Sequence, residues 1–258
     1  MNIVGIIPAR MASSRFPGKP LKKICSIPMV GHVYFRSKMC KMLNEVYVAT
    51  CDKEIEGYIT SIGGKAIMTA NSHERASDRV VEAMIKIEKE NRERVDIVVM
   101  VQGDEPMIYP YMIEEAVKPM YDDENILVTN LMGEIKTTEE FEDPNEVKVV
   151  VDKYNNALYF SREPIPSRKK GAKIVPMFKQ ICIIPFRRDF LLNFNALDPT
   201  PLEIIESVDM MRVLENGYKV KMVLTDARTY SVDTPEDLAF VDSLMKDDVL
   251  IKKYNQNE

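Results

Sequence analysis

Short apolar runs alternate with amphipathic stretches along the first half of the chain. Ile3–Pro8, Val46–Thr50, Ala66–Met68 and Ile97–Val101 are almost wholly apolar. Runs this short, without the polar alternation of a half-exposed strand, predict strands buried on both faces. Between them, Met29–Leu43, Asp52–Ser61 and Ala76–Glu90 predict helices. The first follows Pro28, which suits a first-turn position, and the third has Ser77 or Asp78 as its N-cap. Gly63-Gly64 supplies a break before the third strand. Alternating strands and helices with short connections predict an α/β fold, a mainly parallel sheet with helices on both faces.

After Tyr121 the pattern loosens. Ile126–Asn130, Glu146–Asp152, Ala157–Ser161, Phe178–Phe186 and Lys219–Leu224 read as strands, the second and third joined by a turn at Tyr154-Asn155-Asn156. Pro201–Asn216 reads as a helix stopped by Gly217, and Pro235–Met245 as a last helix. Pro164–Lys173, rich in proline and charge, is expected to be an exposed loop. No repeat and no linker divides the chain, so residues 1–258 are expected to form a single domain with an inserted β-rich lobe at roughly Lys153–Thr200.

Composition narrows the function classes. Apolar residues make up 45% and charged residues 29% of 258, which excludes collagen-like, coiled-coil and disordered chains. A formal charge of −5 argues against a general nucleic-acid partner. No stretch approaches the ~18 apolar residues of a membrane span, and Met1–Arg10 lacks the layout of a secretory signal. Cys25, Cys40, Cys51 and Cys182 form no C-x-x-C pair and have no histidine at zinc spacing, so free, mostly buried thiols of a cytoplasmic protein are expected. With only His32 and His73 available, a hard metal must use carboxylates.

Candidate chemistry follows the strands. After the first strand, the loop to Leu21 holds Arg10, Arg15 and Lys19, the hydroxyls of Ser13 and Ser14, and small residues at Ala9, Ala12 and Gly18. Such a loop, at the carboxyl end of a parallel strand, fits a polyphosphate cradle. On charge alone a basic surface loop without a ligand is the better reading, and the loop lacks Walker A spacing. Asp104, behind Gly103 at the end of the Ile97–Val101 strand, points toward the same cleft and suits Mg²⁺, which takes one or two carboxylates together with phosphate oxygens and water. Thr234-Pro235-Glu236-Asp237 is a helix opening in which Thr234 and Asp237 cap, leaving Asp233 available as a second metal contact. His73–Arg79 could hold a base edge.

Together these segments resemble the CTP:3-deoxy-manno-octulosonate cytidylyltransferases. The likeness runs through IPARMASSRFPGKPL (7–21), VATCD (48–52), HERASDR (73–79), VQGDEPMI (101–108), DPNEVKVV (143–150), ALYFSREPIP (157–166), PLEIIE (201–206) and VDTPEDL (232–238), nearly the whole chain. It implies a three-layer nucleotidyltransferase-like fold, a homodimer, Mg²⁺ dependence, and CTP and a sugar acid as substrates. By position, Arg10, Ser13, Arg15 and Lys19 would hold the triphosphate, Asp104 and Asp233 the metal. Ala9 and the stretch Arg75, Ala76, Ser77, Asp78 and Arg79 would surround the cytosine, and Gln102 and Arg162 would face the sugar acid.

The acceptor half departs from the family pattern. Gln180 stands where a sugar-contacting His is expected, Ile184 and Phe186 where tyrosines are, and Asp209-Met210 where an acidic–amide pair is. Arg75-Ala76-Ser77 replaces S-G-T. A site built to hydrogen-bond hydroxyls discriminates strongly when its polar groups change. The expected reaction is therefore CMP transfer to a KDO-like acid, with an amino-deoxy analogue or another acid as the alternative. Retention of Lys19, Asp104 and Asp233 ranks a non-catalytic nucleotide-binding relative well behind.

Overall fold

The computed structural model describes residues 1–12, 16–171 and 174–254. Ile3–Pro8 forms β1, buried along nearly its whole length. A 3-10 turn at Lys19–Leu21 and a small antiparallel ribbon, β2 (Lys23–Ile24) and β3 (Ile27–Pro28), lead into α1 (Met29–Lys38). Then come β4 (Glu45–Thr50), α2 (Lys53–Ser61), β5 (Lys65–Met68), α3 (Ala76–Asn91), β6 (Ile97–Val101) and α4 (Pro110–Asp122). The four long strands run parallel in the order β6-β1-β4-β5, with Val4 opposite both Val98 and Glu45. The α/β reading of the apolar runs is thus borne out.

The chain divides into two compact units: Met1–Glu114 with Arg228–Glu258, and Glu115–Ala227. The lobe expected at roughly Lys153–Thr200 falls inside the second unit. The first unit is completed by α9 (Pro235–Met245) and α10 (Ile251–Tyr254). The second holds β7 (Thr129–Glu134), α5 (Thr138–Glu142), β8 (Lys148–Val151), β9 (Ala157–Ser161), β10 (Phe178–Ile181), β11 (Ile183–Arg187), α6 (Arg188–Ala196), α7 (Pro201–Glu206), α8 (Met210–Glu215) and β12 (Lys221–Thr225). Its sheet order is β12-β7-β10-β8-β9, with β12 parallel to β7 and the other pairs antiparallel. Among the described residues no helix is long and apolar enough to cross a membrane.

Several boundaries differ from the sequence reading. Helix α1 stops at Lys38 rather than Leu43, because the chain must return to the sheet: Asn44 Oδ1 accepts the Ile3 amide at 2.8 Å where β1 begins. Arg75, in extended conformation, is the N-cap of α3; Ser77 and Asp78 already lie in its first turn. The entry is set by a tertiary tie, since Glu82 within α3 accepts the Ala70 amide at 2.9 Å and pairs with the His73 ring. Pro201–Asn216 is two helices. Ser207 takes a left-handed conformation between them, which brings the Arg212 guanidinium onto the buried Glu203 carboxylate at 2.6 and 2.8 Å. Phe178–Phe186 is likewise two strands, and the strand expected at Ile126–Asn130 is shifted to Thr129–Glu134 by its pairing with β12, Thr129 opposite Lys221. Helix α4 was hidden by an internal proline, Pro119, which speaks against a helix in sequence. None of the four cysteines is in a disulfide; Cys40 is buried and the others are half-buried.

A buried polar knot ties the C-terminal helices to α1. His32 Nε2–H donates to the Ile24 carbonyl, which leaves Nδ1 to accept the Tyr254 hydroxyl, each at 2.8 Å. Arg36 donates to Tyr254, to the Ile108 carbonyl and to Asp248. Burial, with the Arg36 charge nearby, lowers the His32 pKa from 6.5 to about 4. The unfolded chain therefore binds more protons than the native one between those values. Stability conferred by neutral His32 is complete above pH 6.5 and is lost as pH falls toward 4, by roughly 3 kcal/mol. Melting temperatures of His32→Gln, measured across that interval, are expected to fall less steeply with acidification than those of the wild type.

Candidate active site

From β1 the chain steps to β4 and β5 on one side, then returns to β6 on the other side of β1. The strands are parallel, so their carboxyl ends share one edge, and the loops after β1 and β6 diverge there. Such a switch point is where open α/β sheets hold ligands. A pocket of about 310 Å³ opens at this place in the first unit, lined among others by Ala9, Arg10, Lys19, Arg75, Ala76, Arg79, Gln102 and Asp104. Eight residues singled out from sequence are thereby brought to one cavity.

At its edge the Lys19 ammonium stands 2.9 Å from Asp104 and 3.0 Å from Asp233. Asp104 leaves β6 through Gly103; Asp233 leads into α9, whose Thr234–Asp237 capping box leaves the Asp233 carboxylate facing Lys19. The two acidic segments are joined directly, the Val232 amide donating to the Asp104 carbonyl at 2.9 Å. Burial works against the Lys19 charge, but Asp104 and Asp233 outweigh it and raise its pKa above the ordinary 10.5. Lys19 is reached through Gly18, whose φ of 73° suits a residue without Cβ. Among the described residues no group of three or more His, Cys, Asp or Glu is arranged to hold a metal. Two carboxylates meeting at one cation are nonetheless the donor set Mg²⁺ uses when phosphate oxygens and water complete its shell.

On the opposite wall, Arg10 donates to the His73 carbonyl at 3.4 Å. Arg79 is buried and its guanidinium braces Thr69 and the Ala70 carbonyl. Ser77 is buried in α3 and is not among the lining residues. Ser13, Ser14 and Arg15 lie outside the described residues.

The remaining candidates belong to the second unit. Arg162 donates to the carbonyls of Glu206, Pro144 and Ser207. Gln180, on β10, donates its amide to Asn130 Oδ1 at 2.5 Å, and Asp209 is the N-cap of α8. Ile184 and Phe186, which replace expected tyrosines, are core residues: Phe186 is fully buried, with ring centroids 6.5 and 5.7 Å from Phe190 and Phe194.

Two supporting residues escaped the sequence reading. Glu82 fastens the Ala70–His73 loop to α3, and Asp52, just past β4, accepts the Met11 amide at 2.8 Å. Nothing in the pattern marks Glu82. Asp52 sits at the end of a buried strand, the same signal that marked Asp104.

A parallel sheet split at its first strand, with a lysine-bearing loop on one side and paired carboxylates across from it, is the layout of an α/β enzyme that handles phosphorylated ligands. A family model described as cytidylyltransferase matches residues 4–222, and the chain belongs to that nucleotidyltransferase family. It is 44% identical over 248 residues to a 3-deoxy-manno-octulosonate cytidylyltransferase of Geotalea uraniireducens (strain Rf4), covering 92% of this chain and 96% of the relative. The corresponding protein of Thermodesulfovibrio yellowstonii (strain ATCC 51303 / DSM 11347 / YP87) is 44% identical over 245 residues, covering 92% of this chain and 96% of the relative. Among solved structures, CMP:2-keto-3-deoxy-manno-octonic acid synthetase complexed with CTP matches with a TM-score of 0.88 and 41% identity, over 95% of this chain and 98% of the other.

A Cβ at position 103 would stand 3.1 Å from the Pro8 carbonyl oxygen and 3.5 Å from Ile7 Cγ2. Since β1 is the buried, doubly paired strand, the β6 loop must yield. Gly103→Ala is expected to lower turnover by about ten- to a hundredfold through displacement of Asp104, with a much smaller effect on melting temperature; steady-state kinetics beside thermal denaturation checks both.

Proposed function

We propose that the protein transfers CMP from CTP to 3-deoxy-manno-octulosonate, the anomeric hydroxyl attacking the α-phosphorus in line and pyrophosphate leaving. The observation that carries this reading is the meeting of Asp104 and Asp233 at Lys19, beside the pocket; the relatives at 44% identity supply the substrates. Catalysis of this kind is chiefly positioning and charge neutralisation.

In this reading the loop after β1 receives the triphosphate. Arg10 and Lys19 offset its charge, with Arg15 and the hydroxyls of Ser13 and Ser14 as further partners. Lys19 also meets the charge that grows on the departing pyrophosphate. Ala9 and the start of α3, Arg75 and Ala76, border the cytosine, and Gln102 faces the acceptor. Asp104 and Asp233 would hold Mg²⁺. When bound, magnesium supplies charge neutralisation at the phosphates and acidifies the attacking hydroxyl. The proposal includes a cytoplasmic homodimer; exposed Leu158, Leu224, Ile204 and Ile205 on the second unit offer apolar surface for association.

A second reading, the same transfer to a different acid, is supported by one feature: Gln180 stands where the resemblance leads one to expect a sugar-contacting His, and it donates its amide to Asn130.

Incubation of the purified protein with CTP, Mg²⁺ and a panel of ulosonic acids, followed by pyrophosphate release, separates the readings. Fastest turnover is expected with 3-deoxy-manno-octulosonate; faster turnover of an amino-deoxy analogue favours the second reading, and no release with any acid overturns both. Asp104→Ala and Asp233→Ala are each expected to lower release at least about a hundredfold while the fold is kept, as judged by circular dichroism. Substantial release by either variant would refute that carboxylate's part in the chemistry.

A further inference from the structure

Asp52 occupies the N-cap position of α2, where an aspartate ordinarily accepts an amide of the first helical turn, yet its side chain makes no such bond. Its Oδ2 instead accepts the amide of Met11, in the loop that follows β1, at 2.8 Å. The carboxylate is itself steadied. The Asp52 amide donates to the hydroxyl of fully buried Thr50 at 3.1 Å, and the Cys51 thiol lies 3.6 Å from the same Oδ2. Met11 in turn accepts the Gly18 amide on its carbonyl at 3.0 Å. One peptide segment thus receives both ends of the loop, and Gly18 opens the 3-10 turn that begins with Lys19. A continuous chain of bonds runs from Asp52 through Met11 and Gly18 to the residue whose ammonium meets Asp104 and Asp233.

We propose that Asp52 is a positioning residue of the phosphate-receiving loop: its carboxylate forgoes the helix cap to fasten Met11, and through Met11 sets the entry and exit of the loop and the approach of Lys19. This rests on the CTP reading above. Asp52 is not among the residues lining the pocket, so it acts through the loop backbone. Its negative charge near an anion site opposes the ligand. What the site gains is a hydrogen-bond acceptor, and an uncharged acceptor of the same shape can serve.

The test compares the wild type with Asp52→Ala and Asp52→Asn. Four quantities are read: CTP affinity by calorimetry without sugar acid, KM and kcat, the ligand-free melting temperature, and amide hydrogen exchange of the peptide containing Met11 in the free protein. Asp52→Ala is expected to weaken CTP binding and raise its KM about tenfold, to lower kcat as well through the displaced Lys19, and to leave the melting temperature little changed. Exchange at Met11 should accelerate. Asp52→Asn, which keeps an acceptor, should bind CTP as tightly as the wild type or better. The proposal is overturned if Asp52→Ala matches the wild type, if Asp52→Asn is as impaired as Asp52→Ala, or if Asp52→Ala loses its fold, which makes Asp52 a folding residue. A wild type that binds no CTP defeats the function reading instead. Exchange at Met11 still decides the loop's attachment in that case, and unchanged exchange in Asp52→Ala sinks it.

Discussion

One ammonium group between two carboxylates organises the pocket edge of the first unit. Lys19, Asp104 and Asp233 come from three distant stretches of chain, and each would be costly to bury alone. Together they are tolerated, because the carboxylates outweigh the burial that works against the lysine's charge. The same arrangement brings a cation and a pair of carboxylates together at one edge of the pocket. Structural and chemical demands therefore fall on the same three side chains.

The backbone beneath them is held by apolar packing. Phe16, Met107 and Val232, each close in sequence to one member of the trio, enter a single cluster with Ile24, Met29, Val241, Met245 and Ile251. The C-terminal helices thus form the floor on which the three segments rest. Their attachment is polar as well as apolar, through the His32–Tyr254–Arg36 knot and through Asp242, which accepts the Cys25 amide at 2.7 Å. Cys25 and Ser26 both have positive φ, at 45° and 72°, the pairing that lets a two-residue turn follow the twist of a short ribbon. The turn lies a few residues past Lys19, so its anchoring bears on the loop that carries the lysine.

In the second unit many charged groups serve the fold. Lys148 is fully buried and donates to the carbonyls of Asp143, Glu146 and Arg162. Lys179 is held by Glu140 and Glu146, which lift its pKa despite burial. Arg162, matched by resemblance to a sugar-acid contact, is engaged with three backbone carbonyls. Sequence marks such residues as charged and therefore as candidates; only the surrounding carbonyls and carboxylates reveal that they close gaps in a small, irregular core.

By itself the sequence determined the parallel α/β core and the loops that matter, because fully buried strands must be apolar throughout and the loops at their carboxyl ends stand out as polar and glycine-containing. Ile3–Pro8 and Ile97–Val101 were legible as strands, and Lys19 and Asp104 as candidates, on those grounds; Asp233 was legible because the Thr234–Asp237 helix opening leaves it unused. Tertiary structure decided what local pattern does not encode. It split Pro201–Asn216 at Ser207 so that Glu203 could meet Arg212, placed Phe186 in a core, and turned Asp52 from a helix cap to the Met11 amide. A side chain's partner is chosen by what the folded chain brings within about 3 Å, and that distance is set by packing between segments far apart in sequence.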